Sequence, residues 1–176
     1  MKDSPGHLYR RFRYHVGPTP DPTSSDRWAA ERLEGDELAL FGSMTVRDRV
    51  HSVAVARRVE AALAGEPDTD WAVRAGLLHD VGKALAPLGT TGRVVASLAE
   101  GSAAGDWLEA RPHSRFLPIA RMGAYLIYTE LGAHRLEAIG AHPMVSAWAR
   151  EHHLPEDEWS VPQAVGRVLA EADGAA

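Results

Sequence analysis

The run Leu77-Leu78-His79-Asp80-Val81-Gly82-Lys83 constrains the fold of this chain more than any other segment. It sets an imidazole and a carboxylate at the end of an apolar helical stretch, where an isolated ionised carboxylate is costly to bury. The helix that carries them has to pack against elements that supply compensating partners. A divalent cation satisfies an Asp and a His together. Further ligands must then arrive from distant segments: His51 is a candidate upstream, and Asp173 a candidate downstream in Leu169-Ala170-Glu171-Ala172-Asp173.

The pattern around this run is helical from Asp26 onward. A first helix is expected from Asp26 to about Leu40, with Ser24 or Ser25 as its cap. A second starts near Thr45, where Thr45 and Asp48 have capping-box spacing, and runs to about Ala64 before Gly65 and Pro67 end it. Trp71 to Leu78 forms a third. Gly92–Ala99, Ala103–Arg111 and Phe116 to about Tyr128 follow. Pro143–His152 comes next, with Pro143 in a first turn where its missing N–H costs nothing. The last helix is expected from Ser160, with Ser160 and Gln163 as a capping pair, and carries Asp173 near its end. No strand or hairpin signal interrupts the series, so the expected fold is all-α, a helical bundle.

Before this series, Pro5, Gly6, Gly17, Pro18, Pro20 and Pro22 break regular structure. Residues 1–25 are therefore expected to form a flexible arm, and residues 26–176 one helical domain. A chain of 176 residues is long enough for such a core. A net charge of −5 disfavours a dedicated nucleic-acid binder. The absence of cysteine excludes disulfides, thiolate zinc sites and cysteine nucleophiles. Any metal must be held by His, Asp, Glu, carbonyls or water. No apolar stretch reaches the length of a membrane span, and no signal-peptide core follows Met1, so a cytoplasmic location is expected.

Individual residues read differently alone and together. His51 alone is a boundary histidine, on a helix face shared with Arg47, Ala54, Val55 and Arg58. Lys83 alone is a solvated lysine; beside a phosphate-bearing substrate it is an electrostatic clamp. Asp173 sits where the helix dipole disfavours a carboxylate, which a bound cation would offset. The tryptophans at 28, 71, 107, 148 and 159 read as packing residues.

The ordered set of a His, a later His-Asp pair with Val81-Gly82-Lys83, and an Asp near the end resembles the HD superfamily of metal-dependent phosphohydrolases. The resemblance covers about Thr45 to Asp173. It implies an HD-domain bundle in which His51, His79, Asp80 and Asp173 hold a metal ion. A closer likeness is to the HD-GYP-like branch, which adds ligands for a second metal. Here Tyr128-Thr129-Glu130-Leu131-Gly132-Ala133 carries Tyr128 where the branch has histidine. His152-His153-Leu154 keeps two histidines without the following glutamate. The Gly-Tyr-Pro signature is absent. A phenol with a pKa of about 10 is a poor ligand near neutral pH, so one ion is favoured over two. His152, His153 and Tyr128 are then a possible second-metal site or pocket.

The implied function is hydrolysis of a phosphoester bond, in a nucleotide or another small molecule, by a metal-activated water. The ion would be Mn, Fe, Co, Ni or Zn. Asp80 and Lys83 are the candidate catalytic residues, and Lys83 and Arg47 the candidate phosphate contacts. The alternative is a degenerate HD module that binds a nucleotide or a partner protein without turnover. No nucleic-acid or membrane partner is expected.

Overall fold

The computed structural model describes residues 21–86, 88, 89, 92, 95, 96, 99 and 102–176, and every regular element among them is a helix. The expected all-α bundle is therefore what forms. The first 20 residues of the expected arm, and much of the expected helix at Gly92–Ala99, lie outside the described residues.

The expected first helix is two. Helix α1 spans Thr23–Ala30 and α2 spans Gly35–Ser43. The chain turns over residues 31–34, and Gly35 takes a φ of +53°, a left-handed value that glycine adopts without a Cβ penalty. Ser24 and Ser25 lie inside the first turn of α1 instead of capping it; the Asp21 carboxylate accepts the Thr23 N–H at 3.0 Å. Helix α3, Val46–Ala62, starts as the Thr45–Asp48 spacing predicts. Thr45 Oγ1 accepts the Asp48 N–H at 3.3 Å and donates to Asp48 Oδ2 at 2.7 Å.

Helix α4, Thr69–Leu78, is buried at Trp71, Ala72, Val73, Ala75, Gly76, Leu77 and Leu78. A helix apolar on nearly every face belongs in the interior, and α4 packs against α3 and against α9 (Pro143–Glu151). It ends in a turn at His79–Val81 that leads into the short α5, Gly82–Leu85. Helices α6, Ala103–Glu109, and α7, Leu117–Leu126, form a pair, with Ser102 capping the first and Pro118 in the first turn of the second. Trp107 on α6 is 46% exposed, so it is not a core tryptophan; Trp71 and Trp148 are.

Helix α8, Tyr128–Ala138, has no counterpart in the sequence reading. Its buried face is Tyr128, Gly132, Ala133 and Leu136, so a glycine stands at the centre of the apolar stripe. Glycine there reads as a weak point in a helix, yet it is what allows close packing. Helix α10, Gln163–Ala175, begins three residues after the expected Ser160. Ser160 is not its cap. Its hydroxyl donates to Glu151 Oε1 at 2.6 Å and its N–H to Oε2 at 2.7 Å, which ties the connecting loop to the end of α9.

The core runs through α3, α4, α8, α9 and α10. Leu77, Leu78, Leu136, Trp148 and Leu169 are among its largest fully buried side chains. Full burial of a leucine of this kind contributes about 1.5–3 kcal/mol. That packing holds the ends of five helices around one point.

Candidate metal centre

His79 caps the C-terminal end of α4 and is 2% exposed. Its Nδ1–H donates to the Gly76 carbonyl at 3.0 Å. That bond fixes the tautomer, leaving Nε2 as a lone-pair donor directed away from the helix. Nε2 lies 3.5 Å from Asp80 Oδ2 and 3.7 Å from Asp173 Oδ1. His51, on α3, bonds Asp173 Oδ1 through Nε2 at 2.8 Å. The rings of His51 and His79 stand edge to face, 5.7 Å apart. One donor atom from each of His51, His79 and Asp173 lies within 4.8 Å of the others. Three helices, α3, α4 and α10, thus deliver two imidazoles and a carboxylate to one spot.

Asp80 flanks this triplet. It is 3% exposed, and Lys83 Nζ donates to its Oδ2 at 2.5 Å. Burial pushes the Asp80 carboxyl up, but Lys83, His79, His152 and His51 outweigh it and hold the group well below the usual carboxylate range. Lys83 is the mirror case: burial pulls its ammonium down, while Asp80 and Asp48 hold it above the ordinary lysine value. Both groups are therefore charged at neutral pH. Asp173 follows the same logic, with His51 and His79 overcoming burial to depress its carboxyl.

The two histidines after α9 part company. The His152 side chain is buried, with Nδ1–H shared between the carbonyls of Ala149 at 3.1 Å and Trp148 at 3.2 Å. Its Nε2 faces Asp80 Oδ1 at 3.8 Å. Burial, with His153 and His79 adding repulsion, pushes its pKa well below the usual histidine value, so the ring is neutral. His153 is exposed at the residue level, and its Nε2 is hydrogen-bonded to Tyr128 Oη at 2.6 Å. Burial and the nearby Asp80 push the Tyr128 phenol well above its ordinary pKa, so it keeps its proton.

The chemistry of this donor set fits a divalent cation. Nδ1 bonds to carbonyls leave the Nε2 lone pairs of His79 and His152 facing the cluster, that of His152 with Tyr128 Oη at 3.4 Å, and the carboxylates beside them are ionised. Tyr128, as a neutral phenol, does not extend the set. Arg47 stands half-buried in the first turn of α3, one helical turn before His51. Two neighbours of Lys83 carried no functional reading in the sequence: Asp48, seen there only as a cap, and Tyr125, whose ring lies 5.6 Å from that of Tyr128. The three-residue spacing of Tyr125 and Tyr128 was the available signal.

The family model described as HD domain matches residues 49–174 of this chain. No curated protein matches it, and no solved structure does.

Proposed function

This chain belongs to the HD-domain family, and on that premise we propose that it is a metal-dependent phosphohydrolase acting on a small-molecule phosphoester, with nucleotides as the favoured class. The observation that carries the reading is the meeting of His51, His79 and Asp173 within 4.8 Å, beside the buried Asp80. In this reading His51, His79, Asp80 and Asp173 hold the ion. Nitrogen and oxygen donors of this kind suit Mn, Fe, Co, Ni or Zn. When bound, such an ion supplies a Lewis acid and lowers the pKa of coordinated water.

The chain's own groups do the rest. The Gly76 carbonyl fixes the His79 ring through Nδ1, so no reorganisation is needed on binding. Asp80 is ionised and buried, which suits it to hold the ion and orient a water as a hydrogen-bond acceptor. Lys83 stays cationic beside it and attracts a phosphoryl oxygen. In this reading Arg47, one helical turn before His51 on α3, adds a second positive charge. One ion is favoured over two, because Tyr128 offers a protonated phenol where the likeness to the Gly-Tyr-Pro branch calls for an imidazole.

Protein purified without chelator should carry a transition-metal ion by plasma mass spectrometry. It should hydrolyse bis(p-nitrophenyl) phosphate with added Mn. The absence of both metal and turnover would sink the proposal. The short Lys83–Asp80 bond supports a second reading, a binding module whose carboxylate is occupied by its own lysine. Retained nucleotide binding without turnover, in the parent and in a His79→Ala/Asp80→Ala variant alike, would favour that reading.

A further inference from the structure

A cavity of about 360 Å³ opens beside Lys83, between the α2–α3 junction and α7. Its walls are of three kinds. Lys83 and Arg121 supply positive charge, Ser43 and Thr45 supply hydroxyls, and Ala84 and Leu88 supply apolar surface. No carboxylate lines it among the described residues. Lys83 is the shared wall: its Nζ lies 2.5 Å from Asp80 Oδ2, so the cavity adjoins the metal-ligand cluster.

The hydroxyl protons are already committed. Ser43 Oγ donates to the Leu40 carbonyl at 2.6 Å, and Thr45 Oγ1 donates to Asp48 Oδ2 at 2.7 Å. Both side chains therefore face the cavity as acceptors, which cannot bind an anion. The negative charge of a ligand must be met by Lys83 and Arg121. Arg121 is exposed on α7, and no hydrogen bond or ion pair joins its guanidinium to another described residue. A second cavity, about 430 Å³, is the opposite case. There Glu31, Glu34, Glu37 and Asp70 line the walls, and its arginines are engaged, Arg74 by Glu37 and Arg32 by Glu60.

We infer that the cavity beside Lys83 holds the leaving-group side of the substrate, and that Arg121 selects leaving groups bearing a second anionic group. The inference rests on the phosphohydrolase reading for which bond is cut, but not for the binding itself. Lys83 faces the phosphoryl group at the cluster, while Arg121 meets a phosphate or carboxylate on the far side of the cavity. A guanidinium bound to a phosphate makes charge-assisted, often bidentate hydrogen bonds, stronger than neutral ones.

Adenosine 3′,5′-bisphosphate and adenosine 5′-monophosphate make the test pair. Calorimetric titration of each into wild type and Arg121→Gln, with Mn present, reads binding; phosphate release from the same solutions reads turnover. The wild type should prefer the bisphosphate by about ten-fold or more, in Kd or in KM. Arg121→Gln should erase that preference, and Arg121→Lys should keep part of it. Equal affinity of the wild type for both probes overturns the inference, as does an equal loss for both in Arg121→Gln. Preference without phosphate release from either probe supports the subsite and counts against the hydrolase reading. Release without preference does the reverse.

Discussion

Gly82 and Gly132 meet backbone against backbone. A Cβ on Gly82 would lie 1.8 Å from the Tyr128 carbonyl oxygen and 2.9 Å from the Gly132 nitrogen. A Cβ on Gly132 would lie 2.9 Å from the Gly82 nitrogen. This contact seats α5 on α8, and so sets Lys83, next to Gly82, against the Tyr128 ring at 5.2 Å.

Gly82→Ala should therefore force α5 and α8 apart, since backbone atoms cannot yield as a flexible side chain can. Overpacking of this kind costs about 1–3 kcal/mol. Urea unfolding should show the loss, and phosphate release should fall beyond it, because Lys83 and Asp80 move with α5. Unchanged stability would mean that the two helices are free to separate.

Asp173→Asn keeps the shape of the side chain and removes its charge. The depressed pKa of this carboxylate means that its charge also stabilises the metal-free fold, so a modest loss of stability should accompany a drop in metal content of about ten-fold or more in plasma mass spectrometry at equal Mn. Metal content equal to wild type would remove Asp173 from the ligand set.

Tyr128→His should raise metal content from about one to about two ions per chain, since an imidazole would join His152, His153 and Asp80 at a site that now offers a protonated phenol. Tyr128→Phe should leave the content as in wild type. A rise in both variants, or in neither, would show that the phenol is not what limits the site.

Acid should destabilise the metal-free protein early. The folded-state pKa of His152 is depressed, so below about 6.5 the unfolded chain binds a proton that the folded chain refuses. Its contribution is fully present above that pH and is lost as pH falls toward the folded value, at no more than about 1.4 kcal/mol per pH unit. Asp80 and Asp173, also depressed, add their loss only below about pH 4. Urea unfolding in chelator between pH 8 and pH 5 should show this slope, and His152→Gln should flatten it. A slope that survives the substitution belongs to another group.

Glu37→Gln tests a feature with no counterpart in the sequence reading. Glu37 is buried on α2 and takes Arg74 of α4 in a two-point bond, at 2.6 and 3.0 Å. Weakening that bond should cost about 1–3 kcal/mol in urea unfolding without altering metal content.

Much of the fold was legible because helix signals are local. Thr45 and Asp48 announce the start of α3, Pro143 that of α9, and the apolar run ending at Leu78 a buried helix. The misreadings are local signals overridden at a distance. Gly132 hid α8 because the need for glycine arises from Gly82, fifty residues away in the chain. Ser160 resembled a cap, but the buried carboxylate of Glu151 claimed its hydroxyl and its N–H.

The sequence by itself determined that this chain is helical and that His79 and Asp80 enter its interior, because both follow from the order of apolar and polar side chains along a few turns. Only the tertiary structure decided that His51 and Asp173, 122 residues apart, stand 2.8 Å from each other, and that Lys83 adjoins a cavity with Arg121 in its wall. Such distances depend on how whole helices pack, and a local pattern carries no measure of them.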